Sequence, residues 1–317
     1  MATPVFRYWD DKTPFWDEKT SGLSATSISV YKVRLDRLCK VTGKPLLETI
    51  IDANGTYTAL QKTTLADSTR KAYVTAVASY LTHFPKLFKR HKAAVARWQE
   101  AQRLLSALVS TESDNNVMSK EYRDKSVPDM NQIKVVAAQM KKAGLTTLRE
   151  SMDYLQLLMV DDMAPKRADY GALLVLNKAP TVSRGNYVIV PARHSDPATL
   201  VMNDYKTAKY FGEYREEMPM SVSNALRASL LAFPREYVFV GRNGDKMAEK
   251  AYGEAVKVTF RRRMGKDAGP NVLRHAYITQ RCNPGQVTAA QRKEVARAMQ
   301  HTVIQQMSYF MVGGGIR

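Results

Sequence analysis

Apolar residues recur at helical spacing along most of the chain. In SATSISVYKVRLDRLCKVTG, Ile28, Tyr31, Leu35 and Leu38 return every three or four residues, the period of one helix face. Ser24 stands where an N-cap hydroxyl would serve that helix. LADSTRKAYVTAVASYLTHFP carries a second stripe through Tyr73, Val77, Tyr80, Leu81 and Phe84, and Pro85 ends it. KLFKRHKAAVARWQEAQRLLSALV predicts a long basic helix with Trp98, Leu105 and Leu108 turned inward. The polar stretch 110–131 contains Pro128 and loses the period, so it reads as a linker. Beyond it, IKVVAAQMKKAG and LRESMDYLQLLMV are helical again. β-branched runs follow around 173–176, 186–191 and 199–203, and then helices to the end. The fold expected is mostly α with a small antiparallel β-sheet on one side of the second half. The expected organisation is an arm over 1–20, an all-helical domain over 21–110, a linker over 111–129 and an α+β domain over 130–317.

Composition narrows the partners. Hydrophobic residues make up 44% of the 317, with only 16 Gly and 13 Pro, as a packed globular chain requires. No run of apolar residues reaches membrane-spanning length, and the first residues lack a secretory apolar core, so an intracellular protein with no membrane partner is expected. The two cysteines, Cys39 and Cys282, and five scattered histidines give no metal-ligand spacing, so no metal or cofactor is expected. Charge says most. Forty-eight Lys and Arg against 30 Asp and Glu leave +18, which favours a polyanion, because each cation set against a phosphate releases counterions. Lys89, Arg90, Lys92 and Arg97 on the long basic helix, with Lys86 beside them, are candidates for such contacts.

Five polar positions in the second half form a chemically coherent set. Arg167 lies in MAPKRADYGALLVL, where Pro165 ends a helix. Lys206 follows a short strand at a hairpin tip, where burial beside other cations would lower its pKa. Arg274 lies in the first turns of the helix that GPNVLRHAYIT opens. Thr288 and Gln291 have capping-box spacing and start a helix expected to end at His301. Tyr309 follows a short last helix. Singly, each of these is ordinary: a surface arginine, an edge lysine, a packing tyrosine. Together they supply what phosphodiester exchange needs without a metal. Two guanidiniums clamp the non-bridging oxygens, a phenol attacks in line, a lysine protonates the leaving oxygen, and a histidine donates to the phosphate or accepts the phenolic proton.

In that order, and in the frames LRHAYIT and AMQHTVIQQMSYF, the residues resemble the tyrosine recombinases, the phage-integrase-like enzymes. APKRADY and YKTAKYFG look most like the variant found in integrases of large DNA viruses and eukaryotic mobile elements. The resemblance covers about residues 130–312. It implies a helical core-binding domain followed by a catalytic domain, closing as a clamp on double-stranded DNA. It further implies a dimer or tetramer on DNA and a 3′-phosphotyrosyl intermediate needing neither metal nor ATP. Arg167, Lys206, Arg274, His301 and Tyr309 match its catalytic positions. Three departures stand in the sequence: Asn271 where the pattern has histidine, Gln300 where it has glycine, and a His301–Tyr309 spacing one residue short. Asn271 keeps an amide able to donate to a phosphate, and His275 reads as support for the helix carrying Arg274. A type IB topoisomerase shares the same boxes, and a decayed integrase retained for DNA binding is the non-catalytic alternative.

Overall fold

The computed structural model describes residues 9, 13–114, 118, 120–282 and 287–311. Two compact units divide the chain, Met1–Asn115 and Asn116–Arg317. The described residues are mostly helical, with one four-stranded sheet.

The first unit holds α1 (Glu18–Ser21), α2 (Ala25–Thr42), α3 (Leu46–Ile51), α4 (Ala53–Gln61), α5 (Asp67–His83) and α6 (Lys92–Asp114). The Ser24 side chain accepts from the Ser27 amide and caps α2, as expected. The α2 and α5 stripes meet in one core, where Leu35, Leu38, Val77 and Tyr80 are fully buried. Trp98 is equally buried in α6, and its indole N–H donates to the Ile50 carbonyl at 2.8 Å. Leu105 joins this core, but Leu108 is exposed, because the buried stripe of α6 stops at Leu105. Of the expected arm, residues 1–8 and 10–12 lie outside the described residues. Trp16 does not extend into solvent; it is buried against the Tyr80 ring, 5.4 Å between centroids.

The expected linker at 111–129 is largely helical: α6 runs to Asp114, and α7 occupies Lys120–Ser126. In the second unit come α8 (Met130–Ala143) and α9 (Leu148–Asp162). A capping box between Thr147 and Glu150 starts α9, and burial on every side from Ser151 to Met159 makes it the central helix. The strands β1 (Leu174–Leu176), β2 (Asn186–Ile189) and β3 (Thr199–Met202) follow. Next come α10 (Ala208–Phe211), β4 (Tyr214–Glu217), α11 (Met220–Ala232), α12 (Glu249–Met264), α13 (Pro270–Arg281), α14 (Ala289–Ala298) and α15 (Val303–Met307). The sheet order is β1-β2-β3-β4. β2–β3 and β3–β4 are antiparallel as expected, whereas β1 joins β2 in parallel, so the sheet is mixed. β4, Tyr-Arg-Glu-Glu, has no apolar alternation to announce it and pairs antiparallel with β3.

Two local features aim the site. A 3-10 helix, Ala168–Ala172, turns the chain from α9 into β1, and a Cβ at Gly171 would lie 2.6 Å from the Met247 carbonyl oxygen. Only glycine permits that approach, which seats the turn against the segment before α12. At the other side, α14 ends at Ala298, three residues earlier than expected, and Gln300 adopts φ +58° to redirect the chain into His301.

Candidate active site

Arg274 is the centre of the site. Its neighbours Val272, Leu273, Ala276 and Ile278 bury one side of α13, and Arg274 is itself fully buried. One amino group, Nη1, donates to the Pro165 carbonyl at 3.1 Å and to the Met299 carbonyl at 3.2 Å. One side chain thus ties the turn after α9 to the end of α14. Its Nε and Nη2 are buried without a hydrogen-bond partner. Burial pushes the guanidinium below its ordinary pKa; the Tyr309 phenol pulls it back and the charge of Arg167 pushes it further down.

Arg167 stands at the N-cap position of the 3-10 helix, after Pro165, without a side-chain capping bond; it is half-buried, and its Nη1 is likewise buried and unpartnered. The fields of Arg167 and Arg274 both fall on Asp169 and on His301. Burial nonetheless raises the Asp169 carboxyl to about 6, with Glu249 adding to the rise and the two arginines opposing it.

His301 is buried. Its Nδ1 lies 3.0 Å from the Thr302 carbonyl, which can only accept, so Nδ1 carries the proton and Nε2 presents a lone pair. Nε2 has no protein partner. Burial, then the charges of Arg274 and Arg167, push this histidine down to about 4, so it is neutral near pH 7.

Tyr309 packs against two of them, Arg274 and His301. Its ring lies 4.8 Å beneath the Arg274 Cζ, stacks on the His301 ring at 5.5 Å with 22° between planes, and meets the His275 ring at 4.8 Å. His275 Nδ1–H donates to the Tyr309 carbonyl at 2.8 Å, so the support expected from His275 is given to Tyr309 as well as to its own helix. Burial lowers the pKa of His275 too.

Four expected residues, Arg167, Arg274, His301 and Tyr309, are therefore brought together. Lys206 is not buried among cations as expected; it is exposed in the turn after β3. Its neighbour Thr207 donates to the Gln300 carbonyl at 3.0 Å, so the turn touches the segment leading into His301. Asn271 is exposed in the first turn of α13. In the first unit, Lys89, Arg90 and Lys92 are exposed, and Lys86, Lys89 and Lys92 line a surface groove of about 430 Å³ with Phe88 and Val95. Arg97 is instead held over the Tyr57 ring, 4.5 Å from its centroid.

The lysine that is buried here was missed in the sequence. Lys166 has a fully buried side chain, its ammonium donating to Glu216 at 3.3 Å and to the Ala298 carbonyl. Flanked by Pro165 and Arg167, it carries no sequence signal that separates it from a surface charge. Among the described residues there is no cluster of three or more His, Cys, Asp or Glu able to hold a metal, and no helix long and apolar enough to cross a membrane.

No family model and no curated protein matches the chain. Among solved structures, one described as the crystal structure of XerA recombinase is similar over 94% of this chain and 91% of that one, with 12% identity and a TM-score of 0.41. A likeness that remote settles nothing about activity.

Proposed function

We propose that the chain breaks and rejoins DNA strands as a site-specific recombinase or integrase, with Tyr309 as the nucleophile. The observation that carries this reading is a set of buried nitrogens without hydrogen-bond partners: Nη1 of Arg167, Nε and Nη2 of Arg274, and Nε2 of His301. The fields of Arg167 and Arg274 meet at His301, and the Tyr309 ring packs on Arg274 and His301. Leaving guanidinium donors buried and unsatisfied costs stability, and a fold tolerates that chiefly where a ligand completes them. A backbone phosphate has the charge and the acceptor geometry for two guanidiniums at once.

The chemistry follows from these contacts. The phosphate oxygens accept from Arg167 and Arg274, which also offset the added negative charge of a pentavalent transition state. The lone pair on His301 Nε2 takes the phenolic proton as the Tyr309 oxygen bonds to phosphorus. The P–O bond to the 5′ sugar breaks, and the departing oxygen takes a proton from Lys206 at the exposed turn or from water. The 3′-phosphotyrosine so formed conserves the bond, and a 5′ hydroxyl attacking it reverses the step without ATP. Exchange between two duplexes calls for a dimer or tetramer. The exposed Lys89, Arg90 and Lys92 would add phosphate contacts.

The test is a pool of nicked duplexes with randomised sequence, in which cleavage next to the nick traps the covalent product. A protein–DNA adduct resistant to denaturant is expected from the native chain and not from Tyr309→Phe. An adduct that persists in Tyr309→Phe rejects the assignment. Relaxation of plasmid by a strict monomer would favour the topoisomerase alternative.

A further inference from the structure

We propose that Lys166 is a positioning residue, resting on the function just proposed: its buried ammonium anchors the end of α14 to β4 and thereby holds His301 and Tyr309 over the two arginines.

Burial and three contacts support this. The Lys166 side chain is completely buried. Its ammonium donates to the carbonyl of Ala298, the last residue of α14, which no helical amide follows to satisfy. It also pairs with Glu216 on β4, whose Oε2 accepts the Tyr214 hydroxyl at 2.7 Å. Finally, it lies 3.9 Å from the centroid of the Tyr214 ring, a cation–π contact strengthened by burial. The neighbouring carbonyl, Met299, accepts from Arg274. The two residues at the end of α14 are thus each held by a buried cation, and one of those cations is the phosphate clamp itself. Cations at a helix C-terminus also meet the negative end of its dipole. The Gln300 carbonyl takes Thr207, so three successive carbonyls fix the path into His301.

This anchor responds to pH. Burial pushes Lys166 down to about 8, Glu216 opposes that shift, Arg274 adds to it, and Asp169 opposes it. The other groups facing it are Tyr214 from β4 and the uncharged Ala298 carbonyl from α14. Linkage fixes the sign: the folded pKa lies below the ordinary lysine value, so an opening that returns Lys166 to water takes up a proton once the pH exceeds about 8. Rising pH above about 8 therefore opposes that opening, and the His301–Tyr309 segment tightens on the alkaline side.

The experiment is amide hydrogen exchange over the segment from Ala296 to Tyr309 in the full chain without DNA, from pH 6.5 to 9.5, each rate referred to an unstructured peptide. Adduct formation on the nicked pool is measured alongside. In the native chain, protection of this segment should rise with pH from an onset near 8. In Lys166→Met it should be lower by about tenfold at pH 7 and lose that rise. The adduct rate of that variant should drop by about 100-fold at unchanged DNA affinity, since small misplacements of reacting groups cost that much. In Lys166→Arg, which stays charged, pH 7 protection should return and the alkaline rise vanish. Equal protection in native and Lys166→Met protein overturns the proposal, as does an alkaline rise that survives the substitution. If Lys166→Met does not fold, the native profile decides alone, and a flat one overturns it. Absence of adduct from the native chain would sink the phosphotyrosine reading instead, and the exchange data would still decide what Lys166 holds.

Discussion

Gln300 spends conformational energy that a glycine would not. It is buried, sits at φ +58°, and among the described residues it is the non-glycine residue with positive φ. An L-residue there costs about 1–2 kcal/mol, because its Cβ crowds the carbonyl that follows. The side chain returns little, since its amide nitrogen meets only the Met202 sulfur at 3.5 Å. Gln300→Gly should therefore lie within about 1 kcal/mol of the native chain, the relief offsetting the extra freedom glycine has when unfolded. Gln300→Ala keeps the strain and loses the packing, so it should be the less stable of the two by urea midpoint. The reverse order would refute the strain. This position also marks the limit of what the sequence made legible. The motifs located Arg274, His301 and Tyr309 because their spacing is written in the chain. Lys166 and Lys206 sit in similar polar surroundings, and only tertiary packing buries the first and exposes the second.

At the scale of elements, the site is a junction of four: the turn after α9, the start of α13, the end of α14 and the segment after α15. The helices that build it were readable from apolar stripes and from the capping box at Thr288 and Gln291. The sheet was harder. β4 is alternately half-buried and exposed and rich in charge, and the parallel β1–β2 pair depends on a crossing that no local pattern encodes. What holds the junction is also what strains it, because Arg167 and Arg274 repel while their free donors stay buried. An anion should relieve both. Sulfate, compared with chloride at matched ionic strength, should raise the melting temperature of the native chain. A concentration ten times the dissociation constant corresponds to about 1.4 kcal/mol. Arg274→Met should lose that specific gain. An equal response in both proteins would mean the donors face no shared anion site.

At the scale of the whole molecule, if the proposed partner is DNA, the excess of +18 sets how binding depends on salt, and exposure sorts the cations able to contribute. Each phosphate neutralised contributes about −0.9 to the slope of log affinity against log salt. Cations already committed inside the protein contribute less, because they bring no free charge to the contact. In the first unit this separates four residues that the sequence grouped together. Lys89, Arg90 and Lys92 are exposed, the two lysines beside the groove that also holds Lys86. Arg97 instead rests on Tyr57, 4.5 Å from the ring centroid. Replacing Lys89, Arg90 and Lys92 together by Gln should flatten the slope by about 3 and weaken binding alike on every sequence, as phosphate contacts do. Arg97→Gln should leave the slope unchanged and cost stability through the lost stacking, about 0.5–1 kcal/mol. Binding titrations at several salt concentrations, with urea melts of the same proteins, separate the two effects. A slope that moved with Arg97 and stayed fixed in the triple variant would place the phosphate-binding face elsewhere on the chain.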